Sequence, residues 1–325
     1  MLKFVLQRFC HSVLVVLVMA LLVFVGVFVV GDPVAILIDP MADQIEIARA
    51  TKALGLDKPM WDQFWTFLSN ALQGDLGRSF VTSEPALKLI LERMPATLEL
   101  AFLAIFISLI LGLPLGMIAG LNPDSGFSRI IMGGSILGFS LPSFWVGLML
   151  ILLFAVQLGW LPSFGRGETV EIMGISFSFL TLDGLSHLLL PATNLALFKI
   201  SLVIRLARAG TREVLMQDYI KYARAKGLSE RRIIFVHLMK NILIPIVTVV
   251  GLELGGVIAL AVVTETIFSW PGMGKLLIDS IESLDRPLIV AYMIITVLMF
   301  VTINFFVDVI YTLLDPRVKI GSLVR

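Results

Sequence analysis

The sequence predicts an all-α polytopic membrane protein with six transmembrane helices, and three observations predict it. Hydrophobic residues make up 58% of the chain and charged residues 15%, with a mean hydropathy of +0.97. Soluble domains run nearer about half apolar and about a quarter charged. Six apolar runs are long enough to cross a bilayer. The segments richest in lysine and arginine fall where an even number of crossings returns the chain to one side.

Taken in order, residues 1–11 carry Lys3 and Arg8 and lead into an uncharged run, 12–31, read as the first span. That run exceeds a signal-peptide core, and no small-residue cleavage site closes it before Gly31-Asp32-Pro33, so a retained helix is expected. Residues 32–94 form a polar outer insertion in which acids outnumber bases. Within it Pro59 opens an expected helix whose Trp61, Phe64, Trp65, Leu68 and Leu72 share a face. That face fits the membrane interface and fits packing on the spans equally well. The second span is 98–120, with Glu99 near its outer edge and Gly112, Gly116 and Gly120 spaced for close approach of another helix.

A short turn over 122–129 leads to the third span, 130–158, interrupted at Ser140-Leu141-Pro142-Ser143. Proline there frees a backbone carbonyl, which suits either a kink in a packed helix or a permeation path lined by Ser140, Pro142 and Ser143. A second outer loop, 160–185, precedes the fourth span, 186–206, which contains Pro191 and Lys199. The polar, basic stretch 207–241 follows, then the fifth span, 242–268. Residues 269–287 are an outer loop with a short helix over 275–284; the sixth span is 288–313 and the tail 314–325.

Orientation rests on nine bases between Arg205 and Lys240 against only Glu213, Asp218 and Glu230. The N-terminus and tail are also basic, so the positive-inside rule puts all three in the cytoplasm and the acidic insertion outside. A water-facing segment as large as 213–245, lying between two apolar runs, is expected to contact a partner.

Several chemistries are excluded. The only Gly-Lys pair, Gly274-Lys275, is followed by Leu276 and lacks the glycine that opens a phosphate-binding loop. His11, His187 and His237 are scattered without metal-ligand spacing, and the single Cys10 forms neither an intrachain disulfide nor a cysteine metal site. No catalytic constellation and no metal site is expected, and the net charge of +1 gives no argument for nucleic acid. Glu253, inside the fifth span, belongs against a cavity or a partner, because a charge at a helix centre costs about 2.5–3.5 kcal/mol on insertion scales. It is either a substrate-path residue attracting a cationic group or a glutamate hydrogen-bonded at a helix interface. Lys199 can snorkel towards the inner surface.

These residues resemble the membrane permeases of ABC importers for dipeptides, oligopeptides and nickel. The signature cytoplasmic glycine is matched by Gly227, although Lys221-Tyr222-Ala223 departs from the general Glu-Ala-Ala triplet. The peptide branch's own form is similar to Asp218-Tyr219, Ala223-Arg224-Ala225-Lys226-Gly227-Leu228 and Asn241 to Pro245 here. Further similar stretches are Gly31-Asp32-Pro33, Leu54-Gly55-Leu56-Asp57, Gly74-Asp75-Leu76-Gly77, Glu265 to Gly272, Asp308-Val309-Ile310-Tyr311 and Asp315-Pro316-Arg317.

The resemblance implies a type I importer permease bundle in a bacterial or archaeal cytoplasmic membrane, without enzymatic activity of its own. It implies a second homologous permease, two ABC ATPase subunits that bind ATP and Mg, and an external substrate-binding protein, with no cofactor on this chain and no nucleic acid. A short helix around 219–228 would dock on an ATPase through Tyr219, Tyr222, Ala223, Arg224, Ala225, Lys226, Gly227 and Leu228. Small Ala223, Ala225 and Gly227 would allow close approach, and Arg224 and Lys226 would meet acids. The binding protein would be received by 32–94 and 265–287. The cargo is expected to be a di- or oligopeptide, with nickel chelates and glutathione as alternatives. Two readings from other classes are a proton-coupled secondary transporter working through Glu253 and a membrane scaffold that moves no solute.

Overall fold

In the computed structural model, the described residues are 2–26, 52 and 57–314, with side chains placed for 6–26, 52 and 57–309. The end of the first expected span, Gly31-Asp32-Pro33, Leu54-Gly55-Leu56, most of the 32–56 part of the outer insertion and the tail from Asp315 lie outside the described residues. The chain divides into two compact units, one drawn from Met1–Glu92 and Leu276–Phe305, the other from Arg93–Lys275 and Phe306–Arg325.

In the first unit, α1 (Leu2–Phe24) is an apolar helix, and α2 (Met60–Leu72) starts after Pro59. The apolar face expected on α2 divides. Phe64 and Phe67 turn to Phe24 of α1, with ring centroids 5.3 and 5.9 Å apart, while Trp61, Trp65 and Leu72 remain exposed. Buried Asp285 accepts from the Ser79 hydroxyl and from the Phe80 N–H, anchoring the loop that follows Gly77.

α3 (Ala86–Leu121) continues from the first unit into the second. In the second unit α4 (Gly126–Ser140) starts at Ser125, whose side chain accepts from the Ser128 N–H. α5 (Ser143–Gln157) follows after a bend of 107°, and its last seven residues, Ile151–Gln157, form wide turns. The bend follows from Pro142. A residue before proline is pushed out of helical geometry, and Leu141 is extended at φ −81°, ψ 140°. The stretch expected as one interrupted span is therefore two helices.

A hairpin, β1 (Val170–Ile172) paired antiparallel with β2 (Ile175–Phe177), turns on Met173 and Gly174, both at positive φ as a two-residue hairpin of this type requires. α6 (Leu182–Leu215) starts at Thr181, which accepts from the Gly184 N–H. α7 (Asp218–Ala225) is a short helix, and α8 (Glu230–Ile267) includes a wide-turn stretch at Ile233–Leu238. α9 (Met273–Glu282) and α10 (Arg286–Leu314) complete the order.

Five helices among the described residues are long and apolar enough to span a membrane, and α4 with α5 makes a sixth if the bent pair counts as one. Helix limits run past the hydropathy limits at the basic ends of two spans. α6 extends nine residues beyond 206 and α8 starts twelve before 242. Charges end an apolar run, but they do not end a helix that emerges into water.

The core of the second unit joins α3, α6 and α8 through Met117, Val203, Ala207, Leu238, Ile242, Ile246 and Val250. The close approach expected of the α3 glycines is made to α6. A Cβ on Gly112 would stand 2.8 Å from that of Val203, on Gly116 2.6 Å from that of Ala207, and on Gly120 2.6 Å from that of Thr211.

Candidate functional site

α7 is built from the sequence outward. Asp218 in the first turn suits the positive end of the helix dipole. Ile220 and Ala223, one turn apart, are buried against Ile233, with Val214, Leu215 and Leu228 around them. At the other end the Leu228 N–H donates to the Ala223 carbonyl and the Gly227 N–H to that of Arg224. Gly227 sits at φ +77°, completing a Schellman closure with the apolar contact such a motif carries.

This geometry redistributes the roles expected of the cytoplasmic residues. Ala223 is 6% exposed, and its small size serves packing under α7. Arg224 is engaged within the chain, its Nε 2.8 Å and its Nη2 3.2 Å from the two carboxylate oxygens of Glu230. Glu230 holds the Arg224 guanidinium above its ordinary pKa, and the Lys221 hydrogen bond keeps the Asp218 carboxyl below the usual carboxylate range.

Alongside the exposed charges of Asp218, Lys221, Arg224 and Lys226, the outward face carries aromatic and apolar side chains. Tyr219 and Tyr222 are 43% and 62% exposed, and Met216 stands beside them. Lys226 lies over the Tyr222 ring at 4.6 Å, and Ala225 and Gly227 are exposed. Phe235 and Val236, on the wide-turn start of α8, add two more exposed apolar side chains that the sequence reading missed. Their signal was two large apolar residues inside a basic segment.

Ser140 and Pro142 are exposed and Ser143 half-buried at the α4–α5 break. Gly138, just before the break, packs towards Ser201 of α6. Glu253 of α8 meets Lys199 of α6, Nζ to Oε2 2.5 Å, so Lys199 reaches a carboxylate and not the inner surface.

Two buried carboxylates, Glu99 and Glu265, organise the start of α3 and the end of α8. Glu99 of α3 accepts from the Ser178 N–H at 2.9 Å, from the Ser178 hydroxyl and from Arg166 Nη2 at 3.0 Å. Arg166 also donates to the Ser176 carbonyl at 2.6 Å and lies 5.9 Å from the Trp270 ring. Glu265 of α8 accepts from Thr97 Oγ1 at 2.6 Å and from the Lys275 N–H at 3.0 Å. Among the described residues no cluster of His, Cys, Asp and Glu has metal-site geometry.

Comparison with known proteins fits this arrangement. Residues 112–320 match the model for the inner membrane component of binding-protein-dependent transport systems, and residues 1–101 match that family's N-terminal model. The chain is 40% identical over 302 residues to the di/tripeptide transport system permease protein DppB of Pseudomonas aeruginosa, covering 89% of this chain and 90% of the relative. It is 36% identical to the glutathione transport system permease protein GsiC of Escherichia coli, covering 98% of this chain and 99% of the relative. It is 35% identical to the dipeptide transport system permease protein DppB of Escherichia coli, with the same coverage. An inward-facing structure of the MetNI methionine ABC transporter shares the fold, with a TM-score of 0.55 and 17% identity, over 72% of this chain and 100% of the other. The chain belongs to the family of inner membrane components of binding-protein-dependent transport systems and is a permease subunit of an ABC importer.

Proposed function

We propose that this permease carries di- or oligopeptides inward, and that α7 with the adjoining start of α8 is the surface through which partner ATPases drive it. The observation that carries the coupling reading is the division of α7 into two faces. Its inner face is fixed by Ile220 and Ala223 on Ile233, while Met216, Tyr219 and Tyr222 stand outward in a segment whose composition is otherwise basic. A short rigid helix tied to α6 and α8 transmits displacement to both spans, as rigid-body switching requires.

The peptide reading is supported by the names of the relatives, which refer to di/tripeptide, dipeptide and glutathione transport; glutathione is itself a tripeptide. ATP and Mg belong to the two partner ATPases. A second permease and an external binding protein complete the importer, and both termini of this chain lie in the cytoplasm. None of these three relatives' names refers to nickel, and proton-coupled transport by this chain alone has no observation in its favour.

Co-purification tests the coupling surface. Tyr219→Asp/Tyr222→Asp should lose the ATPase subunits while the chain still assembles with its partner permease, and Tyr219→Phe/Tyr222→Phe should keep them. Stoichiometric ATPase in the double aspartate variant would refute the assignment. Ala223→Glu is a poor probe, because it places a charge in the packing beneath the helix.

A further inference from the structure

We infer that Lys199 and Glu253 form a charge-exchange station for a zwitterionic passenger within the membrane-spanning helices α6 and α8. The inference rests on the importer reading above and adds a residue, Lys199, and a cargo chemistry. Glu253 is the central residue of Met239–Ile267, fourteen positions from each end. Lys199 lies seventeen positions from the start and sixteen from the end of Leu182–Leu215. At about 1.5 Å per residue, each group is more than about 20 Å along its helix from either end. Within the expected spans 186–206 and 242–268, Lys199 lies seven positions and Glu253 eleven from the nearer limit, about 10 and about 16 Å along the helix, and the two meet at 2.5 Å.

Burial is unequal within the pair. The Lys199 side chain is 12% exposed and that of Glu253 is 40% exposed. A carboxylate open to that degree does not belong against acyl chains, where an ionised side chain is costly. The open side of Glu253 is therefore turned to polar surroundings, as a lining of the passage requires. Ionisable groups at this depth mark substrate routes more often than they mark scaffolding.

The pairing itself selects the passenger. A cation binding Glu253 alone strands Lys199, and an anion binding Lys199 alone strands Glu253. Leaving the largely buried Lys199 ammonium without a carboxylate is the costlier of the two. A solute with both an ammonium and a carboxylate avoids that cost. Its ammonium takes Glu253, its carboxylate takes Lys199, and four charges stay paired throughout. A peptide with free termini has this chemistry; a bare divalent cation does not. When the passenger leaves, the protein's own pair closes again, so each charge has a partner both before and after transit.

The test uses the full importer, with partner permease, ATPases and binding protein, in proteoliposomes. In Lys199→Met/Glu253→Met neither charge is stranded, so a merely structural pair would be replaced without loss. The expected result is a fall of about tenfold or more in uptake of a zwitterionic dipeptide, with ATPase attachment and binding-protein-stimulated hydrolysis kept. In Glu253→Cys on a Cys10→Ser background, a water-soluble methanethiosulfonate reagent should modify position 253, more slowly during turnover with the dipeptide. Wild-type uptake by the double methionine variant overturns the proposal, as does an unreactive Cys at 253 in both nucleotide-free and vanadate-trapped complexes. Failure of the wild-type chain to hold ATPase would instead overturn the coupling surface, and the cysteine measurement would still judge the station.

Discussion

The Thr97 hydroxyl of α3 donates to the buried Glu265 carboxylate of α8 at 2.6 Å and accepts from the Met273 N–H at 2.8 Å. Glu265 also takes the Lys275 N–H, so two side chains satisfy backbone donors at the start of α9. Trp270, fully buried, adds a bond from its indole N–H to the Ala96 carbonyl at 2.9 Å. Two segments distant in sequence, Ala96–Thr97 and Glu265–Lys275, are fixed at one point.

Thr97→Val keeps the shape and removes both bonds. It should destabilise the protein by about 1–3 kcal/mol, because the Met273 N–H is left unsatisfied in a buried place. Thermal unfolding of the purified importer in nanodiscs checks this, and Thr97→Ser should recover most of the loss.

Gly116→Leu should be more damaging than Leu113→Ala. A Cβ at position 116 would stand 2.6 Å from that of Ala207 and 2.5 Å from the Ile204 carbonyl, and backbone does not yield as a flexible side chain does. Overpacking of this kind costs about 1–3 kcal/mol or more. Membrane accumulation and detergent-resistant folding report it.

Glu99→Gln should loosen the outer loop carrying the β1–β2 hairpin. The substitution leaves Arg166, with a side chain 12% exposed, without its carboxylate, and breaking such a pair costs about 3 kcal/mol. Faster amide exchange over residues 166–178 is the expected readout, with exchange in α7 unchanged.

The sequence carried most of the span pattern but little of the side-chain pairing, for physical reasons. Apolar runs show where a helix lies in lipid, and Gly112, Gly116 and Gly120 show a face made for close contact. Neither indicates which helix arrives. Lys199 and Glu253 are 54 residues apart, and nothing local in either span announces the other. At α7 the motif residues were legible as a group, but their division was not. Ala223 looks like a contact residue by size, and only the packing on Ile233 shows that its methyl is used inward. The break at Pro142 was legible as chemistry, while its 107° angle depends on what both halves pack against.

Gly227→Val should uncouple without unfolding the spans. A β-branched residue at φ +77° costs about 1–2 kcal/mol of local strain, confined to the closure of α7. Faster amide exchange over 218–228 and weaker ATPase retention are expected, with the unfolding temperature of the transmembrane part unchanged.

Uptake of a labelled dipeptide into proteoliposomes tests most directly whether transport depends on a partner ATPase. The assembled importer with its binding protein should accumulate peptide only with ATP and Mg present, and vesicles holding this chain alone should accumulate none under an imposed pH gradient. Gradient-driven accumulation by the chain alone would contradict the coupling role given to α7.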